Sequence, residues 1–156
     1  MTLLSNLVRG NAALQQGPDA SVHPAAELAT ILLPYQPESV GVARRLVRAK
    51  VQEWGLDDLM DDAVVIVSEL VTNSVETCCQ TRMLVGVRRP SDHTLRILVS
   101  DGSRSMPVMV QAGPDATSGR GLAIIHRLTH GRWGVTLLPF GKVVHADLTT
   151  PATIPR

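Results

Sequence analysis

Glu69 and Asn73 stand four residues apart in the stretch VVIVSELVTNSVE, Val64 to Glu76. In a helix that spacing sets an acid and an amide on one face, a turn apart. A carboxylate and an amide oxygen are hard ligands that suit Mg2+, and a positioned carboxylate can act as a general base. The same pair also fits the solvated stripe of a plain amphipathic helix. On helical spacing Asp62, Ile66, Glu69, Asn73 and Thr77 form one stripe. Val64, Val67, Leu70, Val71 and Ser74 form the adjoining apolar face, which puts Glu69 and Asn73 at the border of a core.

Two further clusters could carry chemistry. The run LVSDGS closes a strand-like segment with Asp101, Gly102 and Ser103. An Asp there commonly forms a turn. Held at a sheet end, it could instead accept a hydrogen bond from the exocyclic amine of adenine. The run SGRGLAII places Gly119, Arg120 and Gly121, followed by Leu122, at a helix start. Glycines there allow close backbone approach to phosphate. The first turn presents free amides to an anion, and Arg120 adds a fork of donors. A plain loop-to-helix turn would use the same residues. No G-x-x-x-x-G-K-[ST] or G-x-S-x-G motif occurs. His126 and His130 lie four apart, but no third metal ligand is evident, so they read as a surface pair. Cys78 and Cys79 are adjacent, imply no disulfide framework and read as structural thiols in a reducing compartment.

These clusters need elements to position them. ATILLPY is a brief β-like run ended by Pro34. PESVGVARRLVRAKVQEWG is helical: Pro37 suits its first turn, Val40, Ala43, Leu46, Val47, Val51 and Trp54 keep helical spacing, and Gly55 stops it. A second helix is predicted from about Asp57 through Thr77, with its acids at the N-terminal end. TRMLVGVRR and HTLRILVSD form an antiparallel hairpin joined by PSD. Residues 102–118 are a long loop of the kind that is usually functional. A short glycine-opened helix and a second hairpin, RWGVTLLPFGKVVHADL, follow. The segregation of strands and helices predicts an α+β two-layer α/β sandwich, with a mixed, mostly antiparallel sheet and helices on one face. Residues 1–27 are expected to be a flexible extension, 28–150 the domain and 151–156 a tail.

The chain has 156 residues, 44% hydrophobic and 19% charged, as in ordinary soluble domains. A formal net charge of +1 argues against a footprint for nucleic acid or an anionic membrane. Arg44, Arg45, Arg48 and Lys50 form the densest basic patch and fit a solvated helix face. No run reaches membrane-span length, and the start MTLLSNLVRGN is too broken for a secretory signal, so a cytoplasmic protein is expected.

Taken in order, SELVTNSV, VSDGSRSMP, SGRGLAII and WGV…GKVVHADL resemble the N-box, G1 box, G2 box and closing hairpin of the GHKL (Bergerat-fold) ATPase superfamily. Within it they look most like the stand-alone anti-sigma-factor serine kinases, over about residues 30–148. The resemblance implies ATP and Mg2+ as cofactors. Asn73 would hold the metal, Glu69 would be the catalytic base, and Asp101, with Ser103 beside it, would take the adenine amine. Gly119, Arg120, Gly121 and Leu122 would form the phosphate cradle, under a lid at 102–118. It further implies a homodimer whose partners are a sigma factor or a STAS-type anti-sigma antagonist, the latter phosphorylated on serine. A non-catalytic ATP-sensing module that controls partner docking would need the same pocket. Relatives usually carry Ala where this chain has Ser74, and a His or similar residue where it has Thr77. A histidine-kinase reading lacks room for a phosphoacceptor hairpin in about 27 preceding residues.

Overall fold

Alternation in the strands gives the sheet one apolar face, and the helices cover it. The computed structural model describes residues 27–77, 82–104 and 120–151. Strand β1 is Leu28–Leu33, helix α1 is Glu38–Glu53, and a 3-10 turn at Asp57–Leu59 leads into helix α2, Met60–Glu76. Strands β2 (Met83–Ser91) and β3 (Thr94–Asp101), helix α3 (Arg120–Leu128) and strands β4 (Trp133–Leu138) and β5 (Gly141–Thr149) complete it. The strand order is β1-β2-β3-β5-β4. All four pairings among the described residues are antiparallel, where a mixed, mostly antiparallel sheet was expected. The α+β two-layer sandwich is otherwise as expected, with α2 packed between α1 and α3. The expected extension at 1–27 lies almost wholly outside the described residues, as do Cys78 and Cys79, the loop from 105 and most of the tail. No helix among the described residues is long and apolar enough to cross a membrane.

Met83, Val85 and Val87 of β2, Leu95, Ile97 and Val99 of β3, and Val144, Ala146 and Leu148 of β5 are buried together with the inner faces of the helices. Burying a side chain of this size stabilises by about 1.5–3 kcal/mol. Helix α1 buries Ala43, Val47 and Val51, with Trp54 at its C-cap. Its outer face carries Arg44, Arg45 and Arg48 exposed, as a solvated basic patch should be. Lys50 pairs with Glu53 at 2.6 Å.

Helix α2 departs from the predicted striping. Ile66, expected on the polar stripe, is fully buried, whereas Val64, expected on the apolar face, is only half-buried. The cause is the central position of α2: the sheet and two flanking helices bury a wider arc than one stripe. Asp57 and Asp58 precede α2 in the 3-10 turn rather than opening it. The first hairpin also turns later than expected. Strand β2 runs on to Ser91, which pairs with Thr94, and the register shifts between Arg88 and Ser91. Pro90 lies within that shift, where a missing N–H is tolerated.

On the sheet face opposite the described helices Arg96 binds Asp147 with two bonds of 2.7 Å, directly across β3 and β5. A one-residue slip would send every side chain of a strand to the opposite face, so this fork helps fix the register that seats Asp101 opposite Lys142. Asp147 also holds the Arg96 guanidinium charged, raising it above its usual value. His145 lies beside them, half-buried over Gly134. Burial, and secondarily Arg96, push its imidazole below the ordinary 6.5, against a smaller opposing pull from Asp147. Between that lowered value and about 6.5 the unfolded chain binds a proton that the folded chain lacks, so stability is retained above about 6.5 and falls as pH drops through the lowered value. Urea midpoints at pH 7.5 and 5.5 are expected to differ less for His145→Gln than for the natural protein.

Candidate functional site

The site forms where the C-terminal half of α2 meets the end of β3, the start of β5 and the first turn of α3. Asp101 is the last residue of β3 and lies on the helix-facing side, in line with Leu95, Ile97 and Val99. Its side chain is nearly sealed, 3% exposed. Three donors reach it. The Ser103 amide donates to Oδ1 at 2.9 Å, closing a turn back onto the carboxylate. Lys142 Nζ donates to the same oxygen at 3.1 Å. The Ser74 hydroxyl donates to Oδ2 at 2.8 Å from across the interface with α2. Lys142 also reaches the Ser103 carbonyl at 3.2 Å. The turn-forming and ligand-accepting readings of Asp101 therefore do not exclude each other: the turn consumes one acceptor position and leaves the carboxylate anchored.

Backbone contacts hold this corner together. The Gly102 amide donates to the Tyr35 hydroxyl at 3.1 Å, tying the strand end to the segment after β1. Gly141 adopts φ +143 beside it, and a Cβ at that position would run into the Asp101 carbonyl oxygen. That residue is glycine because both the backbone conformation and the closeness of β3 demand it.

One turn before Asn73 on α2 lies Glu69, and both are half-buried. The Glu69 carboxylate rests on Gly121 in the first turn of α3, so closely that a Cβ on Gly121 would strike Oε2. The absence of a side chain at Gly121 thus lets the carboxylate lie against a helix start, where backbone amides are free. No described residue hydrogen-bonds the Asn73 side-chain amide; the Asn73 carbonyl accepts from Thr77. Asn73 and Glu69 are oxygen donors of the kind Mg2+ takes, and Mg2+ usually needs only one or two protein ligands beside phosphates and water. The residues present fit such an ion.

Helix α2 therefore brings together Glu69, Asn73, Asp101, Ser103 and Gly121, drawn from three separated segments. Leu122 is 3% exposed and packs in the core, so its side chain is structural and only its backbone faces the turn. Gly119 lies outside the described residues, as does the Arg120 side chain. His126 and His130 are not one face of one helix: α3 ends at Leu128 and His130 takes a left-handed conformation, φ +52. His126 Nδ1 instead accepts from Trp133 Nε1 at 3.2 Å.

Lys142, Tyr35 and Gly141 were not singled out by sequence reasoning, and Ser74 was noted only on the apolar face and as a departure from relatives, not as a partner of Asp101. Two of them had a signal. Ser74 is a hydroxyl on the apolar face of α2. Lys142 shares strand parity with Val144, Ala146 and Leu148, and a charge on a buried face requires a partner.

The profile of the family described as histidine kinase-like ATPase domain matches residues 33–131, more than half the chain. The chain belongs to that family, and its domain is an ATP-binding domain. Among curated proteins no relative matches the chain.

Proposed function

We propose that the protein is an ATP-dependent serine/threonine protein kinase of the anti-sigma type. It would phosphorylate an antagonist partner of STAS type and bind a sigma factor as a homodimer in the cytoplasm. The observation that carries this reading is the seating of Glu69 against Gly121, one turn from Asn73 and a turn and a half from the Ser74–Asp101 bond. A general base and a metal ligand then share one helix, and Ser74 of that helix bonds the carboxylate that would read the adenine.

In this reading Asp101 accepts the adenine amine and the first turn of α3 faces the phosphates. Asn73 would hold Mg2+, which neutralises phosphate charge when bound. Glu69 takes the proton of the acceptor hydroxyl as its oxygen bonds to the γ-phosphorus. The bond from that phosphorus to the β–γ bridging oxygen breaks, and ADP leaves. Positioning and charge neutralisation supply most of the acceleration.

The test is incubation with γ-labelled ATP and a STAS-type antagonist, alongside calorimetry of ATP binding. Glu69→Ala is expected to lower transfer to a partner serine by about 10²–10⁴-fold while ATP still binds. Asp101→Asn is expected to weaken ATP by about 10–100-fold, because it removes a charge-assisted acceptor. Tight ATP binding with no transfer by the natural protein would instead identify a non-catalytic ATP-sensing module.

A further inference from the structure

An ammonium group inside a core is costly unless its protons find acceptors. Lys142 is 4% exposed, at the start of β5 and directly across from Asp101. Asp101 Oδ1 and the Ser103 carbonyl account for two of its three N–H donors. No described residue takes the third. Asp101 is its complement. A carboxylate offers about four lone-pair positions. Oδ1 receives Lys142 and the Ser103 amide, and Oδ2 receives Ser74 and retains one position. Among the described residues, one buried locus thus leaves a single donor and a single acceptor on neighbouring groups.

We infer that Lys142 is a specificity-determining residue: its third N–H donates to N1 of adenine while Asp101 Oδ2 accepts from the 6-amino group. This inference rests on the ATP-binding reading of the site and adds a second residue that reads the base. Adenine presents a donor and an acceptor at adjacent ring positions, which is the order this pair requires. The ammonium also cancels the Asp101 charge, so a polyanionic nucleotide meets a locally neutral corner. Guanine in the same pose turns a carbonyl toward the carboxylate and an N–H toward the ammonium. Mispaired buried groups of this kind are strongly rejected.

Calorimetry on the full chain with Mg2+ and three nucleotides tests the inference. The analogue 1-deaza-ATP, with CH in place of N1, is expected to bind about 10–100-fold more weakly than ATP. GTP should be at least as weak as the analogue. Lys142→Met should bind ATP and 1-deaza-ATP alike, having lost the donor that tells them apart. The natural protein alone decides the matter where that variant folds poorly. Equal affinity of the natural protein for ATP and 1-deaza-ATP, or for ATP and GTP, overturns the role of Lys142. So does discrimination against 1-deaza-ATP that survives in Lys142→Met. Binding of none of the three nucleotides overturns the ATP-binding reading and this inference together.

Discussion

Replacing Lys142 with methionine is expected to cost the domain about 3–5 kcal/mol, the usual penalty for breaking a buried ion pair by removing one partner. Methionine fills much of the same volume, so the loss is electrostatic rather than a cavity. What remains is a carboxylate whose side chain is 3% exposed and which has lost the cation that pairs with it among the described residues. Ser74 and the Ser103 amide still bond it, but neutral donors do not offset the desolvation of a full charge. For a chain of this size the loss corresponds to roughly 10 °C in melting temperature. Pairing the change with Asp101→Asn removes the orphaned charge. The double variant should therefore be more stable than the sum of the two single losses predicts, with a coupling of about 1–3 kcal/mol. Urea denaturation of the four proteins, with m-values held constant, measures that coupling. A Lys142→Met midpoint equal to that of the natural protein would show that the pair does not support the fold.

Gly141→Ala is expected to be nearly as damaging, at about 2–4 kcal/mol, for a different reason. Its φ of +143 is a conformation that side-chain-bearing residues resist. The new Cβ also meets backbone, the Asp101 carbonyl, which cannot rotate aside. Either β5 shifts away from β3 or the Asp101 turn deforms. Both movements pull Lys142 off Asp101, so the variant should lose ATP affinity as well as stability. The contrast is Gly121, where a Cβ would meet the flexible end of Glu69. A Gly121→Ala protein can keep its fold by turning the Glu69 carboxylate away. Circular dichroism melts together with ATP titrations distinguish the two sites. A Gly141→Ala protein that melts with the natural one would refute the stated backbone conflict.

The sheet face opposite the described helices supports the site from behind. The Arg96–Asp147 fork spans the same two strands as Asp101 and Lys142, five residues along. Its two bonds hold the alignment that brings a charge at the end of each strand together inside the protein.

Much of the architecture was legible because its information is local. Period-two alternation in MLVGV, LRILV and VVHADL marks strands with one buried face, and period 3.6 in the segments around Val47 and Leu70 marks helices. Pro34, Gly55 and the Pro139–Phe140 turn punctuate them. The positions of Glu69 and Asn73 at the border of the core, and of Asp101 at a strand end, followed from the same periods. Which helix lies central did not follow, and so Ile66 was assigned to the wrong face: the width of a buried arc depends on how many neighbours surround it. Nor could sequence say that Ser74 would bond Asp101, 27 positions away, or that Lys142, 41 positions away, would neutralise it. Local periodicity tells a side chain which way to face. Only the sheet order β3-β5-β4 and the packing of α2 over it select the partner it meets there, because a buried charge takes whatever complementary group the folded chain brings within about 3 Å.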